Sequence, residues 1–424
     1  MTVLPTNRTF AEQLDAADPL AAFRDRFVRA DESLIYLDGN SLGPLPRATQ
    51  ARISEVVGAE WGAGLVRSWS HWVGLAAEVG DLLGEHLVGA APGQVLVSDS
   101  TTVNLFKLAS AALDAALDAQ PGRSAIVTDD DNFPTDRYVL QGIAAQRDCE
   151  LRTIHTDPDQ GLSEQALLAA LDSEVALVSL SHVAYRSGAL ADLARITQLI
   201  HDAGALALWD LCHSVGAVPV ELDAAGADLA IGCTYKYLNA GPGAPAFLYV
   251  RSDLQRDLRQ PVWGWFSQQD QFMMGPRYQP VPGIERFATG TPQIIGTVAV
   301  QEGARLLAQA GIERLRAKSV ALTSYLIQLA DEWLAPHGFS LASPRADARR
   351  GGHVTLHHPA AWQINRALIA TGVIGDYRTP DRLRLCPVPI TTRFADVWDA
   401  LDKLRQIAAA KAYQDVPAEI TRVT

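Results

Sequence analysis

Residues 205–237, ALALWDLCHSVGAVPVELDAAGADLAIGCTYKY, decide the fold. The stretch begins and ends with short apolar runs, 205–210 and 229–234, which are typical of strands buried on both faces of a sheet. Asp210 closes the first run, and Lys236 follows the second between two tyrosines. Because ligands collect beyond the carboxyl ends of parallel strands, these two side chains mark the candidate site.

The same pattern extends on both sides of this stretch. Further apolar runs predict strands at 95–98, 124–128, 151–155, 175–181 and 247–250. Amphipathic stretches between them predict helices at 102–117, 135–146, 163–171 and 191–203. This alternation predicts an α/β domain whose mostly parallel central sheet is flanked by helices on both faces.

The flanking regions follow a different pattern and predict a smaller α+β domain. Its predicted elements are a long helical stretch from 303 to 334, a strand around 353–357, a helix near 362–371, a strand at 383–386 and a final helix from Phe394. We therefore predict an N-terminal segment, 1–60, that contributes to the small domain and the active site, a large cofactor-binding domain, 61–295, and a C-terminal small domain, 296–424. Residues 260–292 are rich in Trp, Phe, Gln, Gly and Pro, and a connection of that length usually carries function or an interface.

Composition excludes several classes of protein. The chain has 424 residues, and its 36 Lys and Arg against 48 Asp and Glu give a net charge of −12, with no basic run. Nucleic acid and anionic membranes are therefore poor partners. Four cysteines without a CxxC pair, a start without a signal-peptide pattern and the lack of a long apolar run lead us to expect a cytoplasmic protein.

Lys236 is the candidate nucleophile. It lies between Tyr235 and Tyr237, and a run of small and turn-forming residues, 239–245, follows. Desolvation disfavours the ammonium form of a lysine, and the free amine suits Schiff-base chemistry. An aspartate at a neighbouring strand end, here Asp210, suits the pyridinium nitrogen of pyridoxal 5'-phosphate (PLP). The residues alone leave a second interpretation open, which is a Lys–Asp salt bridge in a packed sheet.

Two further turns that follow predicted strands belong to the candidate site. Ser98-Asp-Ser-Thr-Thr102 stands before a predicted helix, where hydroxyl groups and free amides bind phosphate or cap the helix, and both roles stay open. In the next turn, 129–136, the ring of Phe133 could lie over a planar cofactor. The acidic residues Asp129–Asp131 are expected to form a solvated turn.

Seven short motifs resemble the kynureninase family of fold-type I PLP-dependent enzymes. They are YLDGNSLGPLP (36–46), NFPTD (132–136), DLCH (210–213), CTYKYLNAGPG (233–243), GWF (264–266), FATGTPQ (287–293) and RGGH (350–353). The resemblance covers residues 34 to 390. It implies a PLP-dependent transferase-like fold and hydrolytic cleavage of the Cβ–Cγ bond of L-kynurenine to anthranilate and L-alanine, in tryptophan degradation by the kynurenine pathway. Preference between L-kynurenine and 3-hydroxykynurenine stays open.

The same resemblance implies roles for individual residues. Lys236 would hold PLP as a Schiff base, Asp210 would pair with the pyridinium nitrogen, and Tyr235 would act as a general acid near the phosphate. The other cofactor-binding residues that it implies are Thr101, Thr102, Phe133, Asp136, Ser181 and His213, with Trp265 and Thr291 reaching the phosphate from a neighbouring subunit of a homodimer. Arg384 would bind the α-carboxylate of the substrate. The remaining substrate-binding candidates are Asn40, Trp69 and His71, with Trp72 as a further candidate for the aryl pocket.

Two alternative enzymes fit the sequence less well. Gly39-Asn-Ser-Leu-Gly43 matches the G-x-S-x-G elbow of serine hydrolases, but Pro44 and Pro46 disfavour the strand-to-helix turn that an elbow needs. A cysteine desulfurase of the same fold group would need a reactive cysteine on a mobile loop. A non-catalytic PLP-binding protein is the rival outside enzymes, although every expected catalytic residue is present.

Three other patterns are expected to carry no chemistry. Residues 241–246 match a dinucleotide-binding fingerprint, yet a strand follows them instead of a helix. No metal site is expected, since no spaced carboxylate or thiolate completes a set with His353, His357 and His358. The arginines at 345, 349 and 350 are expected in a solvated loop.

Overall fold

The computed structural model describes residues 4–419 and contains three β-sheets. Its strands are β1 (Ile35–Tyr36), β2 (Val95–Val97), β3 (Ala125–Asp129), β4 (Glu150–Ile154), β5 (Val175–Ser181), β6 (Leu206–Asp210), β7 (Leu229–Gly232), β8 (Phe247–Val250), β9 (Ser340–Leu341), β10 (Val354–His357), β11 (Val373–Ile374), β12 (Asp376–Arg378) and β13 (Arg382–Leu385). Its α-helices are α1 (Arg8–Ala16), α2 (Arg47–Glu55), α3 (Trp69–Trp72), α4 (Leu75–Leu83), α5 (Thr101–Ala119), α6 (Pro134–Arg147), α7 (Glu164–Ala170), α8 (Leu193–Asp202), α9 (Ile294–Ala310), α10 (Ile312–Trp333), α11 (Ala361–Ala370) and α12 (Phe394–Ala410). Between residues 4 and 419, none of the helices is long and apolar enough to cross a membrane.

The largest sheet has seven strands in the order β2-β8-β7-β6-β5-β3-β4. Strands β3 to β7 pair with one another in parallel, and β8 is antiparallel to both of its neighbours. All seven strands predicted for the large domain are present, with ends that differ by two residues at most. The predicted mostly parallel α/β sheet is confirmed.

Helices bury both faces of this sheet. The side chains of β5 to β8 are almost all buried, because these strands are continuous apolar runs rather than alternating ones. Leu208 and Trp209, adjacent in β6, belong to different hydrophobic clusters on the two faces. The Trp209 indole Nε1 donates a hydrogen bond to the hydroxyl of Thr197 in α8 at 3.0 Å, which fixes that helix on its face.

A second sheet, β12-β13-β10-β9, is antiparallel and lies in the C-terminal part. The N-terminal segment joins this part, because β1 pairs in parallel with β11. In addition, the Asp15 carboxylate accepts hydrogen bonds from the N–H groups of Phe394 at 2.6 Å and Ala395 at 3.0 Å, at the start of α12. These contacts join the N-terminal segment to the C-terminal part, and the division of the chain after residues 60 and 295 stays a prediction.

The helical stretch predicted from 303 to 334 is two helices instead of one. Helix α9 begins earlier than predicted and ends at Ala310, and α10 begins at Ile312. Gly311 separates them with a φ of +81°, a conformation that other residues rarely adopt. The apolar periodicity continues across this single residue, so only the glycine marks the break.

Two of the three aspartates after the predicted strand are buried, so the prediction of a solvated turn is wrong for Asp129 and Asp131. Asp129 is 7% exposed and Asp131 is 6% exposed. The Asp131 carboxylate forms an ion pair with Arg186 from the loop after β5, and the Asp129 carboxylate accepts a hydrogen bond from the Asp131 N–H at 3.0 Å. Burial, together with the charge of Asp131, raises the pKa of Asp129 to about 7.

Arg350 is also buried, contrary to the expected solvated loop. Its guanidinium donates a hydrogen bond to the carbonyl of Pro344 at 3.1 Å and pairs with Asp347 at 2.6 Å. The loop folds around this side chain, while Arg345 and Arg349 are exposed as expected.

Gly303, in α9, packs against the chain just after Lys236. A Cβ atom at Gly303 would collide with the carbonyl oxygen of Leu238, so Gly303→Ala must push helix and loop apart. We expect the variant to lose about 1–3 kcal/mol of unfolding free energy. The matched control is Gly142→Ala in α6, where the added Cβ meets no described atom within 4 Å and should stabilise by about 0.5–1 kcal/mol. Urea denaturation checks both values, and equal stabilisation of the two variants would contradict the close packing.

The raised pKa of Asp129 predicts a pH-dependent stability. In the folded chain its carboxyl keeps a proton up to about pH 7, whereas in the unfolded chain it loses the proton near about pH 4, so stability falls as the pH rises between these values. Asp129→Asn keeps the acceptor oxygen without the ionisation. We expect it to exceed the wild type in unfolding free energy at pH 8, by at most about 4 kcal/mol, and not at pH 4.

Urea denaturation at both pH values measures this difference. Asp118→Asn, at an exposed position near the end of α5, controls for the loss of one negative charge. If the unfolding free energies of wild type and Asp129→Asn depend on pH in the same way, the Asp129 carboxyl ionises in the folded chain without a loss of stability.

Candidate active site

A cavity of about 380 Å³ opens at the carboxyl edge of the large sheet, where ligands of parallel sheets collect. Nine of the predicted site residues line it: Thr101, Thr102, Phe133, Asp136, Ser181, Asp210, His213, Tyr235 and Lys236. Strand register explains why they meet. Ser181 at the end of β5 lies opposite Asp210 at the end of β6, and Asp210 lies opposite Ile231 in β7.

Lys236 lies in the turn that follows β7. Its Nζ lies 3.0 Å from Nε2 of His213 and 5.8 Å from the centre of the Tyr235 ring. The N-terminal segment covers this turn, since the Gly43 N–H donates a hydrogen bond to the Tyr235 carbonyl at 2.8 Å. A Cβ atom at Gly43 would collide with the Lys236 carbonyl oxygen, so this close approach requires glycine. The GNSLG sequence matches a serine-hydrolase elbow, but in this fold its last glycine makes a backbone contact with the turn that contains Lys236.

Two buried aspartates lie close together in the cavity wall. Asp210 ends β6, where its Oδ1 accepts a hydrogen bond from the Cys212 N–H at 2.7 Å, and Asp136 lies in the first turn of α6. Burial raises the pKa of Asp136 well above its usual range, and the charge of Asp210 raises it further. Asp136 therefore favours its protonated form.

His213 is neutral in this environment. Burial lowers its pKa well below the usual range, and the charge of Lys236 lowers it further. A neutral imidazole has one acceptor nitrogen, so its Nε2 can form a hydrogen bond with Nζ of Lys236 at the observed distance of 3.0 Å. The ring thus fixes the position of the amine.

The amino end of α5 forms another part of the cavity wall. Ser100 caps the helix, because its hydroxyl accepts the Val103 N–H at 3.4 Å. Thr101 and Thr102 follow in the first turn, where backbone N–H groups have no partner within the helix. These N–H groups and the two hydroxyls suit a phosphate. The capping and phosphate-binding roles that the sequence left open can therefore be served by different residues of one motif.

The residues of this cavity fit PLP. They provide a helix amino end for the phosphate, a carboxyl pair for the pyridinium nitrogen and a primary amine for the aldehyde. Within the described residues, Oδ2 of Asp136 and Nδ1 of His213 are buried without a hydrogen-bond partner, which leaves polar atoms for a ligand to satisfy. The Phe133 ring is partly exposed and meets the Tyr185 ring edge-on, with centroids 5.3 Å apart.

Arg384 lies behind the cavity wall instead of in it. Its side chain is 1% exposed and forms an ion pair with Asp376. It donates hydrogen bonds to the Tyr185 carbonyl at 2.7 Å and to the Ser41 hydroxyl at 2.9 Å. Tyr185 lines the cavity and Arg384 does not, so Tyr185 lies between Arg384 and the cavity.

Trp69, His71 and Trp72 form an aromatic cluster outside the cavity. The Trp72 indole Nε1 donates a hydrogen bond to Glu60 at 2.6 Å, Nε2 of His71 lies 3.1 Å from the same carboxylate, and Trp69 packs edge-on against Trp72. Although burial opposes it, hydrogen bonds from neighbouring side chains lower the pKa of Glu60 to about 2. Glu60 is therefore a charged anchor for this cluster.

Asn40, Trp265 and Thr291 also lie outside the cavity. Asn40 is buried, and its amide has no hydrogen-bond partner within the described residues. Trp265 is exposed and packs edge-on against Phe266, and Thr291 lines a separate small cavity beside Asp99. Within one chain, none of these three residues lines the cavity that contains Lys236.

Ten further residues line the cavity that were not among the predicted site residues, and Tyr185 and Gln293 are two of them. Tyr185 lies four residues beyond Ser181, so a closer inspection of strand ends would have found it. Gln293 closes the FATGTPQ motif and precedes α9, which places its side chain near the sheet edge only once the fold is known.

The cysteines do not provide an exposed thiol. Cys212, Cys233 and Cys386 are buried, and burial raises the pKa of Cys386 to about 12. The Cys233 N–H donates a hydrogen bond to Sγ of Cys212 at 3.2 Å. Cys149 is half-buried and precedes β4, at the opposite edge of the sheet from the cavity. Within the described residues, no cysteine has the setting that a desulfurase needs.

Solved PLP enzymes share this fold. A mutant of C-DES with glycine covalently linked to the PLP cofactor matches with a TM-score of 0.79 at 20% identity, over 90% of this chain and 98% of that chain. The apo cysteine desulfurase of Thermococcus onnurineus NA1 matches with a TM-score of 0.76 at 18% identity, over 89% and 95%. Such identities show the fold alone, and they confirm the predicted fold-type I architecture.

Sequence relatives are much closer. Residues 315–404 match the family described as the kynureninase C-terminal domain. The kynureninase of Burkholderia pseudomallei (strain K96243) is 46% identical over 411 residues, which cover 96% of this chain and 97% of the relative. The kynureninase of Pseudomonas fluorescens is 44% identical over 419 residues, which cover 98% and 99%. The chain belongs to the kynureninase family.

Proposed function

We propose that this chain is a PLP-dependent hydrolase that cleaves the Cβ–Cγ bond of L-kynurenine, with 3-hydroxykynurenine as a second substrate. The products are anthranilate or 3-hydroxyanthranilate and L-alanine, in tryptophan degradation. The observation that carries the proposal is the amine of Lys236, held 3.0 Å from a neutral His213 in a cavity that also contains the carboxyl pair. Membership of the kynureninase family supplies the substrate.

PLP, when bound, supplies a protonated ring that withdraws electrons from the α-carbon of an amino acid. We assign Lys236 to hold the cofactor and Asp210 to pair with its ring nitrogen. Thr101 and Thr102 bind the phosphate, with Ser181 and Tyr235 beside them. The Ser181 hydroxyl donates a hydrogen bond to Oδ1 of Asn132 at 2.8 Å, which ties the end of β5 to the turn that carries Phe133 and Asp136.

Protons in this site move between Lys236 and the substrate. Nζ of Lys236 takes the proton from the α-carbon of the substrate, and the acceptor nitrogen of His213 stabilises the ammonium that results. The Tyr235 hydroxyl keeps its proton, because burial and the nearby thiol of Cys233 raise its pKa. We therefore assign Tyr235 as the general acid that delivers a proton to the carbon released by bond cleavage.

Arg384 is assigned to the α-carboxylate of the substrate. Its Nε is buried without a hydrogen-bond partner within the described residues, so one donor of the guanidinium stays free. Asp376 balances its charge, and Asp38 lies 3.9 Å from it. Burial and the charge of Asp376 raise the pKa of Asp38 to about 6. Protonation of Asp38 removes one negative charge beside Arg384, which lowers the repulsion of a further carboxylate.

A homodimer completes the site in this proposal. Trp265 and Thr291, which one chain leaves away from the lysine, would reach the phosphate of the neighbouring subunit. Exposed apolar side chains on the same loop support this arrangement, since Phe272, Met273 and Met274 are each more than 70% exposed. Asn40, Trp69 and His71 are assigned to the substrate, with the aryl ring against the aromatic cluster.

The proposed setting is the cytoplasm. All four cysteines are free thiols, which suits a reducing compartment. The partner is a small-molecule substrate, and a net charge of −12 disfavours nucleic acid.

Lys236→Ala tests whether Lys236 holds PLP and is needed for turnover. We expect the purified wild type to absorb visible light from bound PLP and to release fluorescent anthranilate from L-kynurenine. Without the amine, the variant loses that absorbance and the turnover while it keeps its circular dichroism spectrum. Lys403→Ala, on the exposed face of α12, is the control and should keep both signals. Turnover or a persistent cofactor band in Lys236→Ala would remove the lysine from its role.

Arg384→Lys tests the carboxylate contact. Lysine keeps the positive charge beside Asp376 but lacks the planar fork that pairs with a carboxylate. We expect kcat/KM for L-kynurenine to fall by an amount worth about 2–5 kcal/mol, mainly through KM. Arg382→Lys, on the same strand but paired with Asp159 and Asp381, should leave the kinetics unchanged. Unchanged steady-state kinetics in Arg384→Lys would exclude this residue from substrate binding.

A further inference from the structure

A second cavity, of about 310 Å³, lies between the segment after β8 and the aromatic loop of residues 260–292. Its wall includes Arg256, Arg259, Gln260, Trp263, Tyr278 and Arg286. It shares no lining residue with the active-site cavity. None of the roles assigned above uses it.

Within the described residues, the three arginines of this cavity form no ion pair, and the nearby charge of Asp257 only partly offsets the effect of burial on Arg286. Between residues 4 and 419, no Asp or Glu forms an ion pair within 4.0 Å of Arg256, Arg259 or Arg286. Arg251, a few residues earlier, pairs with both Asp228 and Asp253. Because acidic residues outnumber basic ones in the whole chain, an unpaired group of three guanidinium charges is a local exception.

Arg286 gives the cavity a fixed charge. It is only 8% exposed, and its Nη1 donates a hydrogen bond to the backbone carbonyl of Arg256 at 2.9 Å. Burial lowers the pKa of Arg286, which means that the charged guanidinium is less stable here than in water. A guanidinium carries five N–H donors, and the single hydrogen bond observed leaves most of them for a ligand in the cavity.

An aromatic face adjoins these charges. The rings of Trp263 and Tyr278 stack with centroids 4.9 Å apart and planes 17° from parallel. Trp263 is 64% exposed, so one face of its indole is open to solvent. A flat apolar surface beside guanidinium groups suits an anion carried on an aromatic ring.

We propose that this cavity binds a small oxyanion, a phosphate or carboxylate group, through Arg256, Arg259 and Arg286. Guanidinium groups bind both oxyanions through paired N–H donors, which gives geometric as well as charge complementarity. The binding site is separate from the cofactor and substrate sites, so the proposal goes beyond the function proposed above. It also gives a role to part of the loop that the sequence singled out.

The test uses the PLP-loaded enzyme, in which the cofactor occupies the active-site phosphate position. Inorganic phosphate and, separately, benzoate are titrated in low-salt buffer, with calorimetry and Trp fluorescence as readouts. The variant Arg256→Gln/Arg259→Gln removes two charges and keeps the backbone carbonyl that holds Arg286. Arg366→Gln, exposed on α11, is the matched control.

We expect saturable binding to the wild type and to Arg366→Gln, and a Kd at least tenfold higher in the double variant. Kynurenine turnover should be the same in all three proteins. Tighter binding of benzoate than of phosphate identifies a ligand with an aryl carboxylate, and the reverse order identifies a phosphate. Added KCl should weaken binding, since the two outer arginines are exposed.

Equal affinity in the double variant and the wild type would overturn the proposal, and so would the lack of saturable binding to the wild type. A wild type that binds neither probe, with a double variant of altered oligomeric state, would also overturn it and assign the arginines to a contact between copies. Anion binding in a protein without kynurenine turnover would support this site and count against the proposed function alone.

Discussion

In the large sheet, hydrogen-bonded register places Ser181 of β5 opposite Asp210 of β6, and Asp210 opposite Ile231 of β7. A shift of one residue in either pairing would turn the side chain at a strand end to the other face of the sheet. The carboxyl pair, the lysine turn and the serine contact all depend on this alignment. The rigid part of the fold, rather than its loops, therefore sets the relative positions of the reactive groups.

Burial controls the charges that this alignment brings together. Burial raises the pKa of Asp136 and lowers the pKa of His213, so both side chains favour their uncharged forms. An aspartate in water is ionised at neutral pH, so favouring the protonated form of Asp136 costs folding free energy. The continuous apolar strands on either side of the site offset that cost.

The sequence identified Lys236 and Asp210 because chemistry at strand ends leaves a local signal, which is a polar residue directly after an apolar run. Arg384 was found only by resemblance, and its place behind Tyr185 was not predictable, because its partners Ser41 and Tyr185 come from distant parts of the chain. The burial of Asp129 was missed for the same reason, since the loop with Arg186 that covers the acidic turn lies far along the chain. Local patterns predict elements and their ends, whereas burial by a distant segment has no local signal.

The pairing of β1 with β11, and the Asp15 contacts at the start of α12, have a consequence for the order in which the protein is made. The segment with β1 and Asp15 leaves the ribosome long before β11 and α12, which anchor it. Until then, β1 has an unpaired edge, and Gly43 has no fixed segment from which to cover the lysine turn. The N-terminal segment therefore covers the lysine turn only after β11 and α12 have been made. Until then its strand edge is unpaired, and an unpaired strand edge in a nascent chain is prone to aggregation.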